Sequence, residues 1–319
     1  MTAQRIGEAT LGKNARSPLT HTLYSVGIIL IAPSKYTRKM AVPNWLRIVL
    51  LLLTFASFQP QLRLLWVRRD SSGISLYYVL LNLIVATELF TISFFYVVNN
   101  RVEGSQFFVH NPPNVGDRLN LAQFALTWVL WVLLFAACLA YPSDRYRGRR
   151  TTVSAIYGSF LLISVVPLFV DAALDDPSDQ YHKWGLALFS SAHIFLVNFI
   201  VSILGFVAPY LQARDIIARP PGSGPGALSL IGLAAQAVVF ALLAPAWLGR
   251  LVFPWEEIGA GNVNWNVLKA WGQLVGFVAF DNAVFAIAQA YLLWLAVRHA
   301  RHGSPPGVRA GEADPLLGR

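Results

Sequence analysis

Four ionisable side chains stand inside long apolar stretches of the 319-residue sequence: Glu88, Asp171, His193 and Asp281. A charge at the centre of a bilayer costs roughly 2.5–3.5 kcal/mol on insertion scales, so each position asks for a chemical reason. A carboxyl group in such surroundings can load and release a proton or attract a cation. Glu88 and Asp281 are therefore the candidates for proton or cation coupling. The other reading of each is a neutral acid hydrogen-bonded between helices. His193 reads as a hydrogen-bonded core residue and Asp171 as a solvated group near the membrane interface. Neutral polar groups accompany them. Asn82, Asn198, Gln236 and Asn282 could bind the polar ends of a small solute, with Gln289 on the same stretch as Asn282. Interhelical hydrogen bonding, worth under about 2 kcal/mol each, is the competing explanation for Asn82 and Gln236.

None of this resembles catalysis. The sequence has no GxSxG elbow, no HExxH and no phosphate-cradling GxxxxGK. Cys138 is the single cysteine, so neither an intrachain disulfide nor a thiolate metal cluster can form. The six histidines lack ligand spacing, and neither a metal nor a cofactor is expected. Apolar residues make up 55% of the chain and charged residues 13%, with a mean hydropathy of +0.52. A soluble protein carries roughly 25% charged residues, so the medium around this one is lipid. The net charge of +9 is confined to loops and tails, which argues for membrane orientation and against nucleic-acid binding.

Seven stretches are long enough to cross about 30 Å of hydrocarbon as helices: 44–66, 74–98, 120–141, 151–174, 185–212, 227–250 and 270–298. Tyr24–Ala32 is too short to cross and belongs to an N-terminal tail, residues 1–43. Arginines gather at one set of ends: Arg68 and Arg69, Arg145 to Arg150, Arg214 and Arg219, and Arg298 onward. The positive-inside rule makes that side cytosolic, C-terminus included. The basic N-terminal tail (Lys35, Arg38, Lys39) argues the other way and is outvoted by the short loops. Tryptophans 128, 131, 247, 255, 265, 271 and 294 read as interface anchors.

One pattern occurs twice. Phe58-Gln59-Pro60-Gln61 ends the first apolar stretch, and Gly73-Ile74-Ser75-Leu76 opens the second. Ala208-Pro209-Tyr210-Leu211 ends the fifth, and Ala227-Leu228-Ser229-Leu230 opens the sixth. Beyond the loops the copies keep an offset of 154, pairing Ser75 with Ser229 and Asn82 with Gln236. Duplication of this kind implies two similar bundles facing each other across a water-filled pathway. Three helices per copy would reverse the second, so one extra crossing is needed to keep both parallel. The expected fold is an all-α membrane protein of seven transmembrane helices, arranged three plus one plus three. Residues 44–141 form the first bundle, 151–174 the linker helix and 185–298 the second bundle, followed by a tail at 299–319. Pro60 and Pro209 remove a backbone donor near a helix end. Gln59 and Gln61 could satisfy the freed carbonyl, making a hinge or a static kink.

Pro60-Gln61 followed by Gly73-Ile74-Ser75-Leu76 resembles the signature of the PQ-loop repeat family. That family includes cystinosin and the vacuolar and lysosomal amino-acid exporters, and is related in fold to the SWEET carriers. The second copy departs from the signature, with Tyr210 in place of the glutamine and a loop insertion bearing Pro220, Pro221, Gly222, Gly224 and Pro225. The resemblance implies a carrier of a small polar solute, an amino acid first, working by alternating access and coupled to protons. Pro60, Gln61, Pro209 and Tyr210 would form its hinges. In proton-coupled members an acidic residue near the second motif often matters; Asp215 is the nearest here, in the loop, and carries no assigned role. Some relatives affect phospholipid movement or membrane trafficking, which is the alternative; a sorting-signal receptor is a third.

The C-terminus offers an address. Glu312-Ala313-Asp314-Pro315-Leu316-Leu317 matches an acidic dileucine signal, in which Glu312 precedes Leu316 and Leu317 for recognition by a sorting adaptor. It agrees with a vacuolar or lysosomal membrane.

Overall fold

A computed structural model describes residues 42–100, 107–174, 180–220, 224–253 and 265–302. The sorting motif at Glu312, Leu316 and Leu317, nearly all of the N-terminal tail, Trp255, and Pro221 and Gly222 of the loop insertion lie outside the described residues. Seven helices are long and apolar enough to cross a membrane: α1 Asn44–Arg68, α2 Leu76–Asn99, α3 Val115–Ala140, α4 Asp144–Ala173, α5 Trp184–Ile217, α6 Leu230–Leu248 and α7 Trp265–Arg301. The protein is an all-α, seven-helix membrane protein. Among the described residues the one β feature is an isolated bridge between Phe108 and Val252.

Each helix pairs its backbone within itself, as hydrocarbon requires, except where Pro60, Pro209 or Pro245 removes a donor. Its ends are closed by local chemistry. Arg69 takes the left-handed conformation (φ 51°) and returns its N–H to Leu65, ending α1. Asn114 and Asp117 form a reciprocal capping box that starts α3 five residues before the expected boundary. Ser229 accepts from Gly232 N–H at 3.0 Å and starts α6. Helix α5 runs on to Ile217, so Asp215 lies on a helix and not in the loop.

The helices meet in a repeated pattern. Helix α1 lies against α3 as α5 lies against α7, and α2 against α3 as α6 against α7. Across the two halves, α1 meets α6 just as α5 meets α2. Exchanging the first three helices with the last three leaves this pattern of contacts unchanged. Helix α4 stands beside α2. Tyr157 on α4 receives the indole N–H of Trp128 at 3.0 Å, and Asn99 donates to Asp171 Oδ2 at 2.5 Å. Asp171 is therefore tied to α2 while remaining partly exposed. Leu52, Leu162, Leu188, Ile231 and Ile287 project outward and form the lipid-facing belt.

Aromatic rings fill the space where the halves meet. Phe58 of α1 contacts Trp131 of α3 edge-on at 5.5 Å and Phe240 of α6 at 6.4 Å. Phe285 of α7 lies 4.5 Å from Phe240 and 5.9 Å from Trp131. Trp131 and Trp247 are thus core residues rather than interface anchors, at 3% and 2% exposure.

At the arginine-rich end the α1–α2 loop crosses the loop before α6. Ala227 N–H donates to Ser72 C=O at 2.6 Å. Gly226 holds φ +64°, and a Cβ there would stand 2.3 Å from the same Ser72 oxygen. Left-handed backbone costs a side-chain-bearing residue about 1–2 kcal/mol before any clash. Gly226→Ala is therefore expected to lower Tm by several degrees in a thermal melt of detergent-solubilised protein. Gly148→Ala, with nothing within 4 Å of the added carbon, serves as the unaffected control.

Candidate functional site

Gln61 points away from its own proline and across the seam. Its Nε2 donates to Ala227 C=O at 2.8 Å, and its Oε1 accepts from Ser229 N–H at 2.8 Å. Gln212 makes the mirror contact. Its Nε2 donates to Gly73 C=O at 2.8 Å, and its Oε1 accepts from Ser75 N–H at 2.8 Å. Gly73 and Ser75 are the residues that correspond, at the offset of 154, to Ala227 and Ser229. Each half thus reaches from its first helix to the start of the other half's second helix. Both amides are buried, Gln61 at 6% and Gln212 at 0% exposure.

This geometry corrects two expectations. The second-copy counterpart of Gln61 is Gln212, two positions past Tyr210, while Tyr210 itself is 65% exposed on the outer surface. Gln61 does not repair the carbonyl freed by Pro60; it joins the halves. Gln59 alone turns back to its own helix, donating to Phe55 C=O at 3.4 Å. Pro60 and Pro209 both lie inside helices that continue beyond them.

Behind the Gln61 contact, a cleft is lined by Gln61, Tyr78, Trp131, Leu228, Gly232 and Gln236. It has room for about one water molecule. Next to this cleft, where a water-filled pathway was expected, the rings of Phe58, Trp131, Phe240 and Phe285 fill the seam. Tyr78 also accepts from Gln289 Nε2 at 2.7 Å, linking α2 to α7.

Beside Gln212, Asp215 is buried, accepts the Tyr146 hydroxyl and lies 3.2 Å from Arg145 Nη1. Tyr146 Oη is also 3.2 Å from Ser75 Oγ. The start of α4 is thereby fastened to the same clasp.

The proposed solute-binding residues are not gathered into one cluster. Asn82 donates to Tyr78 C=O at 2.8 Å and Asn282 to Val278 C=O at 2.7 Å, each the carbonyl four residues back on its own helix. Gln236 lines the cleft, whereas Asn198 is buried with its Oδ1 unpartnered. The two carboxylates also stand apart. Glu88, fully buried on α2, is 2.8 Å from Nδ1 of His193 on α5 through Oε1 and 3.0 Å through Oε2. Asp281 on α7 accepts from Ser202 of α5 at 3.1 Å. That pair is half-buried on the flank of the second bundle, where Phe206 and Phe280 are exposed.

Local helix geometry brings His193 to Glu88. Residues Ala192–Val197 form a π-helical turn inside α5, and Gly272–Gly276 form another inside α7; the two turns touch. A π turn carries an extra residue, which rotates the following face by about 100°. Such turns are frequent at functional sites.

Comparison with protein-family models, with curated proteins and with solved structures finds no match.

Proposed function

We propose that this chain is a PQ-loop-type carrier. It would move a small polar solute, an amino acid first, across a vacuolar or lysosomal membrane by alternating exposure of a site between its two halves. The reciprocal glutamine contact carries the reading. Two duplicated halves each seal the other at one end, through four hydrogen bonds that must break together if that end is to open. A seam closed by a few local contacts above a small polar cleft is what an occluded gate requires. The arginine-rich end is then cytosolic, and the clasp is the cytosolic gate. Glu88 and His193 supply a proton-carrying pair that spans α2 and α5, the helices across which rocking must occur. The sorting motif at Glu312, Leu316 and Leu317 would supply the address through an adaptor.

The Asp281–Ser202 pair supports a second reading. A carboxylate on a lipid-facing flank could engage a headgroup, as phospholipid movement along α5 and α7 would need. Reconstituted vesicles separate the two. Labelled amino acids are expected to accumulate above the level of protein-free vesicles and to respond to a proton gradient. The response should vanish in Glu88→Gln while Asp281→Asn retains it. Movement of labelled phospholipid without amino-acid uptake, abolished by Asp281→Asn, would replace the carrier with the second reading.

A further inference from the structure

The opposite end of the molecule holds a charge that the proposed carrier mechanism does not use. Arg250 lies just beyond α6 and is 2% exposed, yet its Nε, Nη1 and Nη2 have no hydrogen-bond partner among the described residues. Its guanidinium sits over the ring of Trp247 at 4.8 Å. Trp247 is equally buried and stacks on Phe124 at 4.5 Å, and its indole Nε1 is also unpartnered. Four nitrogen donors are therefore enclosed within one turn of chain without an acceptor.

The surrounding charges do not compensate. Arg47 at the start of α1 is close enough to repel Arg250, and its Nε and Nη1 are already engaged. It donates to Val42 C=O at 3.1 Å, Gly116 C=O at 2.8 Å and Asn120 Oδ1 at 2.9 Å. Asn120 in turn donates to the backbone C=O of Arg250 at 3.2 Å, which fixes both arginines to α3. Asp117 is fully buried and acts electrostatically on Arg47. Its oxygens accept from His110 N–H at 3.1 Å and Asn114 N–H at 2.9 Å, with His110 Nδ1 at 3.0 Å. Burial first, then Arg47, lowers the Arg250 pKa to about 10, so the group stays charged at neutral pH. A buried charge in this state calls for an anion.

We propose that Arg250 and Trp247 form a binding site for a small carboxylate, at the end of the molecule opposite the glutamine clasp. The guanidinium fork presents parallel N–H bonds that match the two oxygens of a carboxylate, and the indole N–H adds one more donor. The indole face and Phe124 close one side, which restricts the ligand to a compact group. The carboxylate can belong to a solute entering from that side or to a free short-chain acid. The site stands independently of the carrier reading.

The test is a thermal melt of the full chain in detergent, titrated with sodium acetate against matched sodium chloride. Acetate is expected to raise Tm saturably. Arg250→Gln should abolish the rise, and Trp247→Phe, which keeps the ring and removes the donor, should weaken acetate about tenfold. Zwitterionic alanine reproducing the rise assigns the site to the carboxylate of a solute; acetate acting alone assigns it to a free acid. A wild-type Tm indifferent to both overturns the proposal, as does an undiminished acetate affinity in Trp247→Phe. The latter comparison stands even if Arg250→Gln does not fold. A rise that emerges only when Glu256→Gln and Glu257→Gln are combined would hand Arg250 to the chain's own carboxylates and also overturn it.

Discussion

Replacing Gln61 by alanine is expected to destabilise the protein by about 2–6 kcal/mol, with Gln212→Ala having a similar effect. Each truncation removes two hydrogen bonds and leaves a buried backbone C=O and N–H unpaired, at about 1–3 kcal/mol per group. Water could relieve part of this cost from the arginine-rich side, so the lower half of the range applies if the seam opens. The double variant should fall short of the sum, because both clasps close one seam and opening either exposes the other's partners. Gln61→Glu is not a conservative change. It keeps the acceptor for Ser229 N–H but turns an oxygen toward Ala227 C=O, where a donor is required. Thermal melts of the four variants in detergent check this. A strictly additive double variant would mean that the two contacts act independently, and an unchanged Tm in either single variant would mean that its glutamine does not hold the halves together.

The first clasp was half legible in the sequence, and the second was misread for an identifiable reason. An alignment of the two copies on their prolines puts Tyr210 opposite Gln61. Side chains that must reach a partner across a loop are constrained by that partner, not by the proline. Gln61 lies 14 residues before Ser75, whereas Gln212 lies 17 before Ser229. The fixed offset of 154 after the loops was the better ruler, since it identified the backbone groups that the amides contact. The seven helix spans were legible, with ends displaced by up to seven residues, because hydropathy over about 20 positions locates a crossing better than its ends. Their ends moved where capping chemistry intervened, as with Asn114 and Asp117.

Depth along a span proved a weaker guide to partnership. Glu88, Asn198, Asp281 and Asn282 all stand near the middle of their apolar stretches, which alone would suggest a shared site. Facing, however, depends on helical phase, and the π turns in α5 and α7 shift that phase in a way that residue types do not announce. Asn82 and Asn282 turn back to their own helices, which periodicity alone could not exclude. His193 was undervalued because its partner lies 105 positions away and on the other half of the molecule.

That partnership leads to the second large effect. His193→Leu should destabilise the protein by about 3–5 kcal/mol, since it strands a fully buried carboxyl group on α2 without its hydrogen-bond partner. Glu88→Leu strands the imidazole instead, and should cost less because a neutral ring tolerates burial better than a carboxylate. The combined variant, with two apolar side chains in the same space, should recover most of the loss, as apolar replacements of buried pairs often do. This non-additivity distinguishes a true pair from two unrelated core positions, whose effects would simply sum. Chemical or thermal unfolding of the three variants provides the stability arm. Vesicle uptake provides the other, for the recovered double variant retains the fold but lacks the Glu88–His193 pair between α2 and α5. If Glu88 and His193 serve coupling, that variant transports without responding to a proton gradient. If the pair only holds the helices together, uptake in the double variant keeps the gradient dependence of the parent chain, and the coupling role passes from Glu88 to another group.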